Sequence, residues 1–201
     1  MSHSSEDVQN LTTVQSRDIE KRAFGKATLE NRCSYDVWVW SVDGKGSSKA
    51  IKVPKRTKWS EAVRSSCVGC GVVFKVSKTD QIINGKHTQF EYAIASNKIW
   101  YDISLVNCAS GKTATNCPGY ANGLSMDSPN AKCGKINCKG GSYCPTQAYW
   151  VDTPVQKLGI AEPVFGCGDA GASMDLNMRV CGDEKALKRS VAGRLMIDEE
   201  Y

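Results

Sequence analysis

The sequence predicts an all-β fold with a disulfide-rich loop region, and three observations predict it. Apolar side chains alternate with polar ones in several segments between residues 71 and 106, with the period of two that is typical of strands. The 201 residues include ten cysteines and two histidines, a ratio that favours disulfides over metal binding. Between Cys108 and Cys167 the alternation gives way to Gly, Pro, Asn, Ser and cysteine. With 41% apolar residues, the chain has enough for the core of one globular domain.

The alternation predicts four strands in order along the chain. Residues 37–42, VWVWSV, are apolar on both faces, which predicts a strand buried between two sheets with Trp38 and Trp40 in the core. The other three strands each have one apolar face: Val72, Phe74 and Val76; Phe90, Tyr92 and Ile94; Ile99, Tyr101, Ile103 and Leu105.

The last two of these strands are predicted to form a hairpin. A two-residue loop at Ser96 and Asn97 places apolar residues opposite apolar residues along the whole pair. A slip of one residue would set apolar positions against polar ones, so the pattern selects this register. It also places Glu91 directly opposite Asp102, with Cβ atoms about 4.5–5.5 Å apart, on the face away from the aromatic core.

Like charges opposite each other destabilise a sheet, so the Glu91–Asp102 pair needs an explanation. One is that both side chains point into water, where the repulsion is weak. The other is an acidic cleft that binds a cation, a sugar or a basic side chain, or performs acid–base chemistry on a glycosidic bond. Trp100, on the same strand face as Asp102, is the tryptophan predicted to line such a cleft.

The cysteines predict five disulfides and therefore an oxidising compartment. They are Cys33, Cys67, Cys70, Cys108, Cys117, Cys133, Cys138, Cys144, Cys167 and Cys181. The Cys67-x2-Cys70 motif is predicted to be structural rather than redox-active, since no thioredoxin-like βαβ pattern surrounds it. No metal site and no cofactor are predicted. We expect a secreted protein whose numbering begins after removal of a signal peptide, and no segment has the roughly 18 apolar residues that a membrane-spanning helix needs.

The ends of the chain differ in composition from its centre. Residues 1–22 contain no cysteine and no aromatic residue and end in Lys21-Arg22, which resembles the cleavage site of kexin-type proteases. Asn10 begins a glycosylation sequon. A second dibasic pair, Lys188-Arg189, precedes a segment that is either a second trimmed tail or a short helix. We therefore predict a propeptide-like leader at 1–22, a folded domain at 23–187 and a C-terminal tail at 188–201.

Several segments resemble thaumatin-like proteins in order and spacing: IWYDISLVNC, NGLSMDSP, the C-x4-C-x5-C-P cluster that begins at Cys133, and DLNMRVC. The resemblance covers roughly Thr28 to Cys181, and the cysteine count is similar to the small fungal branch that includes the yeast-phase-specific secreted proteins. It implies a thaumatin-like two-sheet β-sandwich with a disulfide-rich loop region, and a disulfide from Cys33 to Cys181. Closing that loop would contribute about 4–5 kcal/mol in the chain-entropy description.

The resemblance also implies an acidic cleft at the paired carboxylates. Glu91 and Asp102 match two acidic positions of the family's cleft, and Arg64 is aligned loosely with its arginine. The family's next Asp falls on Asn107, an amide that can neither act as a general base nor carry negative charge. The cleft is therefore expected to be depleted in charge. Glu91, Asp102, Asn107, Arg64 and Trp100 are the candidate ligand-binding residues, and Glu91 and Asp102 are the candidate catalytic ones.

Three functions are open at this point. The first is a non-enzymatic effector in virulence, or a binding protein of the cell wall or host interface. The second is a β-1,3-glucan-binding protein or a weak endo-β-1,3-glucanase, with Glu91 as acid and Asp102 as nucleophile or base. The third is a membrane-perturbing protein that uses its basic residues. These are Lys52, Lys55, Arg56, Lys58, Lys132, Lys135 and Lys139. The partner is expected to be a host protein or β-glucan rather than nucleic acid, because the cations form no reading motif. The protein is expected to be a monomer.

Overall fold

Two β-sheets packed face to face form the fold, in a computed structural model that describes residues 24–65, 67 and 70–186. The prediction of an all-β, two-sheet sandwich is confirmed. The predicted leader and tail, the pairs Lys21-Arg22 and Lys188-Arg189, and Asn10 lie outside the described residues and stay predictions.

The described part of the chain is built mostly from short strands. In chain order they are β1 (Lys26–Asn31), β2 (Val37–Asp43), β3 (Gly46–Ser47), β4 (Ile51–Val53), β5 (Thr57–Ala62), β6 (Gly71–Ser77), β7 (Thr88–Ala95), β8 (Lys98–Ser104), β9 (Leu124–Asp127), β10 (Ile136–Cys138), β11 (Phe165–Gly166) and β12 (Leu176–Val180). A short helix, α1 (Pro154–Leu158), precedes β11, and 3-10 turns lie at Tyr120–Asn122 and Gly168–Ala170.

The strands divide between a five-stranded and a seven-stranded sheet. The smaller sheet has the order β10-β9-β12-β1-β5, in which β1 and β12 run parallel. The larger sheet has the order β11-β8-β7-β6-β2-β3, with β4 also paired to β2. The first and last strands of the domain are therefore neighbours in the smaller sheet, while the predicted hairpin β7–β8 lies within the larger one.

The core lies between the two sheets because the strand pleat sends alternate side chains inward. Val72, Phe74 and Val76 of β6 are fully buried, and the apolar residues of β7 and β8 continue this inner surface. From the other sheet, Trp59 of β5 reaches Phe74, with ring centroids 5.3 Å apart. The inner face of the larger sheet is thus closed, and its outer face is available to a site.

Trp38 and Trp40 do not belong to this core, so the prediction for them is wrong. Val37 and Val39 of β2 point inward and are fully buried, which turns the two tryptophans to the outer face, where they are half-buried. No second sheet covers that face among the described residues. Lys52 lies over the Trp38 ring instead, with its Nζ 5.5 Å from the centroid.

The region from Cys108 to Cys167, predicted as loop, contains regular structure as well. Strands β9 and β10 in this region extend the smaller sheet, and Leu124, Met126 and Ile136 bury their side chains in the core. Both strands are short and lie between Gly- and Pro-containing turns, so their alternation is too brief to stand out in the sequence.

All ten cysteines form disulfides, as their number and the scarcity of histidine predict. Cys33 is bonded to Cys181, the pairing that the resemblance implies. The other bridges are Cys67–Cys70, Cys108–Cys117, Cys133–Cys167 and Cys138–Cys144. Three of these four close loops in the region between β8 and β12, where strand pairing is sparse.

The turn of the β7–β8 hairpin offers a simple test of local strain. Ser96 and Asn97 both have positive φ, at 50° and 55°, the conformation of a type I′ turn, which favours Asn-Gly. We expect the double change Ser96→Asn and Asn97→Gly to raise the free energy of unfolding by about 1 kcal/mol, because serine tolerates positive φ poorly. Urea unfolding at constant m-value measures this gain, and an unchanged or lower midpoint would contradict the turn geometry.

Candidate functional site

The predicted register of the β7–β8 hairpin is confirmed along its whole length. Glu91 lies directly opposite Asp102, on the outer face of the larger sheet. Tyr92 and Tyr101, the next pair along, face inward and are buried. Two carboxylates therefore occupy neighbouring positions on the sheet face that the core does not use.

A segment from far along the chain covers this pair. Tyr149 docks its backbone on β8: its amide donates to the carbonyl of Ile103 at 2.8 Å, and its carbonyl accepts from the amide of Leu105 at 2.8 Å. The chain then continues through α1 and back across the outer face. The result is a pocket of about 370 Å³ between the sheet and this segment. Its lining residues are Gln89, Glu91, Asp102, Ser104, Val106, Asn107, Tyr149, Asp152 and Glu162.

The covering segment brings two carboxylates that the sequence did not assign to the cleft. Asp152 precedes α1 and Glu162 follows it, and both line the pocket with Glu91 and Asp102. The expectation of a depleted acidic cleft, based on Asn107, is therefore wrong. Asn107 does lie in the pocket, but the negative charge that it lacks is supplied by residues about 50 positions later in the chain.

Asp102 is the most perturbed group of the pocket. Burial, with the nearby charges of Glu91 and Glu162, raises its pKa from 3.8 to about 8. Its Oδ1 is buried and has no hydrogen-bond partner among the described residues. The raised pKa favours the protonated form of Asp102 at neutral pH, and its buried Oδ1 does not fit the interpretation of both carboxylates as simply solvated.

The pKa values of three other titratable groups of the pocket are shifted in different directions. Burial raises the pKa of Glu91, while Lys75 on the neighbouring strand partly opposes this. A hydrogen bond from Lys157 lowers the pKa of Asp152, which is exposed at the rim. Burial, followed by a hydrogen bond to Glu162, raises the pKa of Tyr149. The pocket therefore contains hydrogen-bond donors as well as ionised acceptors.

Neutral polar groups complete one wall. The side-chain amide of Gln89 donates to Asn107 Oδ1 at 3.3 Å and to Ser104 Oγ at 3.4 Å. On its other side, the Gln89 carbonyl oxygen lies 3.4 Å from Nε2 of the buried His87. These contacts fix the orientation of the amide toward the pocket.

Arg64, predicted to serve the acidic cleft, lies elsewhere. Its Nε donates to Asp43 and its Nη2 to Ser41 Oγ, both at 2.8 Å, and Nη1 pairs with Glu61. Ser41 points to the inner side of the larger sheet, whereas Glu91 points to the outer side. The sheet therefore separates Arg64 from the pocket, because the register turns Ser41 and Glu91 to opposite faces.

Trp100 lies on the predicted face but outside the pocket lining. It is 42% exposed and precedes Asp102 by two positions along β8, toward the hairpin turn. Its ring covers Gly166 of β11, where an added Cβ would lie 2.9 Å from Trp100 Cε3. Trp100 is thus an exposed aromatic surface beside the pocket.

Within the described residues, no three His, Cys, Asp or Glu side chains are arranged to hold a metal ion. No helix in the described ranges is long and apolar enough to cross a membrane.

The architecture has close counterparts among known proteins. The protein elicitor MoHrip2 from Magnaporthe oryzae has a similar structure, with a TM-score of 0.54 and 21% identity over 78% of this chain and 98% of that one. An antigenic thaumatin-like protein of Arthroderma benhamiae is 27% identical over 129 residues, 63% of this chain and 60% of the relative. The secreted thaumatin-like protein calA of Emericella nidulans is 24% identical over 125 residues, 62% of this chain and 68% of that relative.

The chain therefore has the fold of thaumatin-like proteins, and both curated relatives are thaumatin-like proteins of fungi. The family described as Blastomyces yeast-phase-specific protein matches residues 19–182, and the chain belongs to that family. The matched part of this chain spans about 60% of the length of the first curated relative.

Proposed function

We propose that this protein acts outside the fungal cell as a non-enzymatic binding protein, and that the acidic pocket on the outer sheet face binds a β-1,3-glucan of the cell wall. The single observation that carries the proposal is the composition of the pocket: a carboxyl with a raised pKa, further carboxyl groups, amides and hydroxyls line one cavity. Secretion is supported by the five disulfides and by a relative whose name describes it as secreted.

This composition suits a sugar better than a simple cation. A sugar hydroxyl both donates and accepts hydrogen bonds, so its site needs acceptors and donors close together. Asp102 and Tyr149 retain their protons at neutral pH and can donate, whereas Asp152 is ionised and accepts. Trp100, exposed beside the pocket, offers an apolar surface to a neighbouring sugar ring.

Endo-β-1,3-glucanase activity is the second candidate, and one observation favours it. Glycoside hydrolysis needs one protonated and one ionised carboxyl, which requires that neighbouring pKa values be pushed apart. Asp102 is the protonated member here, so it would be the acid and Glu91 or Glu162 the base or nucleophile. This assignment reverses the roles expected from the sequence.

Co-sedimentation of the full chain with insoluble β-1,3-glucan tests the proposal. We expect the unaltered protein to pellet without releasing sugar. Glu91→Gln with Asp102→Asn should bind about tenfold more weakly, because the two carboxyl groups at the base of the pocket are replaced by amides, which changes the donors and acceptors that meet the sugar. Asn107→Trp, at an exposed position of the lining, should fill the pocket and abolish binding without changing the core.

The control is Asp80→Asn with Asp169→Asn, which replaces two carboxyls by amides at exposed positions outside the pocket lining. This variant should pellet like the unaltered protein. Equal loss with both double variants would show that net charge, not the pocket, governs binding. Sugar in the supernatant, absent with Asp102→Asn alone, would establish the glucanase instead.

A further inference from the structure

A second cavity lies at the end of β6, and its chemistry is opposite to that of the acidic pocket. It has a volume of about 280 Å³ and is formed by the end of β6, the connection from β6 to β7, and the loop closed by the Cys108–Cys117 disulfide. No carboxylate is among its lining residues in the described part of the chain. The volume is just below the range of about 300–1,000 Å³ of drug-sized sites, which indicates a smaller ligand.

Two lysines give this cavity a positive charge. Lys78 and Lys86 both line it, and neither has a carboxylate within ion-pair distance in the residues described. Lys78 is held in place, since its Nζ lies 4.8 Å from the centroid of the Tyr35 ring. Asp80, in the same connection, does not line the cavity.

Apolar side chains form the rest of the wall. Ile83 is 48% exposed, unusual for an isoleucine, and it lines the cavity together with Pro118. Thr115 and Asn116 add polar groups beside Pro118. A ligand would therefore meet an apolar surface beside two lysine side chains.

The cavity is preorganised by hydrogen bonds behind its lining. The buried Thr88 Oγ1 donates to the carbonyl of Pro118 at 2.8 Å, which ties the disulfide loop to β7. Thr79 Oγ1 donates to the carbonyl of Gln81 at 2.6 Å, and the amide of Lys86 donates to the carbonyl of Ile83 at 3.0 Å. Ligand binding would therefore cost little ordering of the backbone.

We propose that this cavity is a binding site for a small amphipathic anion, in which Lys78 and Lys86 bind the anionic head and Ile83 and Pro118 contact an apolar chain. A fatty carboxylate and an alkyl phosphate share this chemistry. The site is separate from the acidic pocket, since the two cavities share no lining residue.

Isothermal titration calorimetry of the full chain with octanoate, octyl phosphate, octanamide and inorganic phosphate tests this site. We expect octanoate or octyl phosphate to bind. The ligand that binds more tightly shows whether the site prefers a carboxylate or a phosphate head group. The neutral amide should bind about tenfold more weakly, since hydrogen bonds to charged groups are the strong ones. Higher salt should weaken binding of the anions.

Lys78→Gln with Lys86→Gln should remove the preference for octanoate over octanamide, and Ile83→Asn should weaken both ligands. The control, Lys55→Gln with Lys58→Gln, removes two exposed lysines elsewhere and should bind like the unaltered protein. Thermal melts confirm that each variant folds. The proposal would be overturned if neither octanoate nor octyl phosphate bound more tightly than inorganic phosphate, or if the Lys78/Lys86 variant bound them unchanged. Sedimentation with anionic vesicles without binding of either soluble anion would also overturn it.

Discussion

Replacing Asp102 with asparagine is expected to make the protein more stable at neutral and alkaline pH. In the folded state this carboxyl keeps its proton up to about pH 8, whereas in the unfolded chain it loses the proton near 3.8. Asparagine resembles the protonated form in shape and does not titrate. The free energy of unfolding of the parent protein should therefore fall as pH rises, because Asp102 titrates, whereas that of the variant should not fall for this reason.

The direction of this change in stability follows from the number of protons that the folded and unfolded states bind. Between pH 3.8 and about 8 the folded state binds one more proton at Asp102 than the unfolded state does. Stability therefore falls as pH rises through this window, by at most about 1.4 kcal/mol per pH unit. The Asp102→Asn variant should lack this slope and exceed the parent by about 3 kcal/mol at pH 7, after allowance for partial exposure.

Urea unfolding from pH 4 to pH 9 measures the effect. Asp152→Asn is the matched control, because it changes the same residue type in the same pocket where the pKa is lowered by Lys157. Its sign is opposite: the contribution of Asp152 is present above the unfolded pKa and is lost as pH falls. Parallel pH profiles for the parent and Asp102→Asn would show that Asp102 is ionised and solvated at neutral pH.

Removing the Cys33–Cys181 disulfide is expected to cause the largest loss of stability of any single bridge. The two cysteines are 148 residues apart, and the chain-entropy description assigns a loop of that length about 5 kcal/mol. We expect the double change Cys33→Ala and Cys181→Ala to lower the free energy of unfolding by that order, which leaves a marginal domain or none at 37 °C.

The Cys138–Cys144 bridge supplies a matched comparison. Its two cysteines are six residues apart in the sequence. For a loop of that length the same description gives a stabilisation of about 2 kcal/mol. Both double variants replace two buried or half-buried sulfurs with methyl groups, so the difference between them isolates loop length. Denaturant unfolding without reductant compares them, and equal losses would contradict the entropic account.

The hairpin at the site could be predicted from sequence because its information is local. The apolar period of two in β7 and β8 permits one register, and that register alone places Glu91 beside Asp102. The same reasoning failed for Trp38 and Trp40, since a strand with apolar residues on both faces gives no indication of which face the second sheet covers. Val37 and Val39 point into the core, and the two larger tryptophan side chains lie on the outer face of the sheet.

The rest of the pocket depends on contacts that no local pattern contains. Tyr149, Asp152 and Glu162 come from an irregular segment whose position is fixed by backbone hydrogen bonds to β8 and by the nearby disulfides. Burial of Asp102 follows from that docking. Periodicity and spacing therefore could not predict a cluster of carboxylates that lie about 50 residues apart in sequence. The positions of Asn107 and Glu91 in the pocket could be predicted correctly.

The bridge between the first and last cysteines also determines how the protein would respond to mechanical force. Tension applied to the two ends of the described chain passes through β1, crosses the Cys33–Cys181 bond and leaves through the residues after Cys181. The 148-residue span between those cysteines carries no load. While the bond is intact the span between the two cysteines cannot lengthen by unravelling, whereas reduction of all five disulfides would release about 500 Å of extended chain. A protein held between two surfaces would thus behave as a stiff link in an oxidising medium and as an extensible one in a reducing medium.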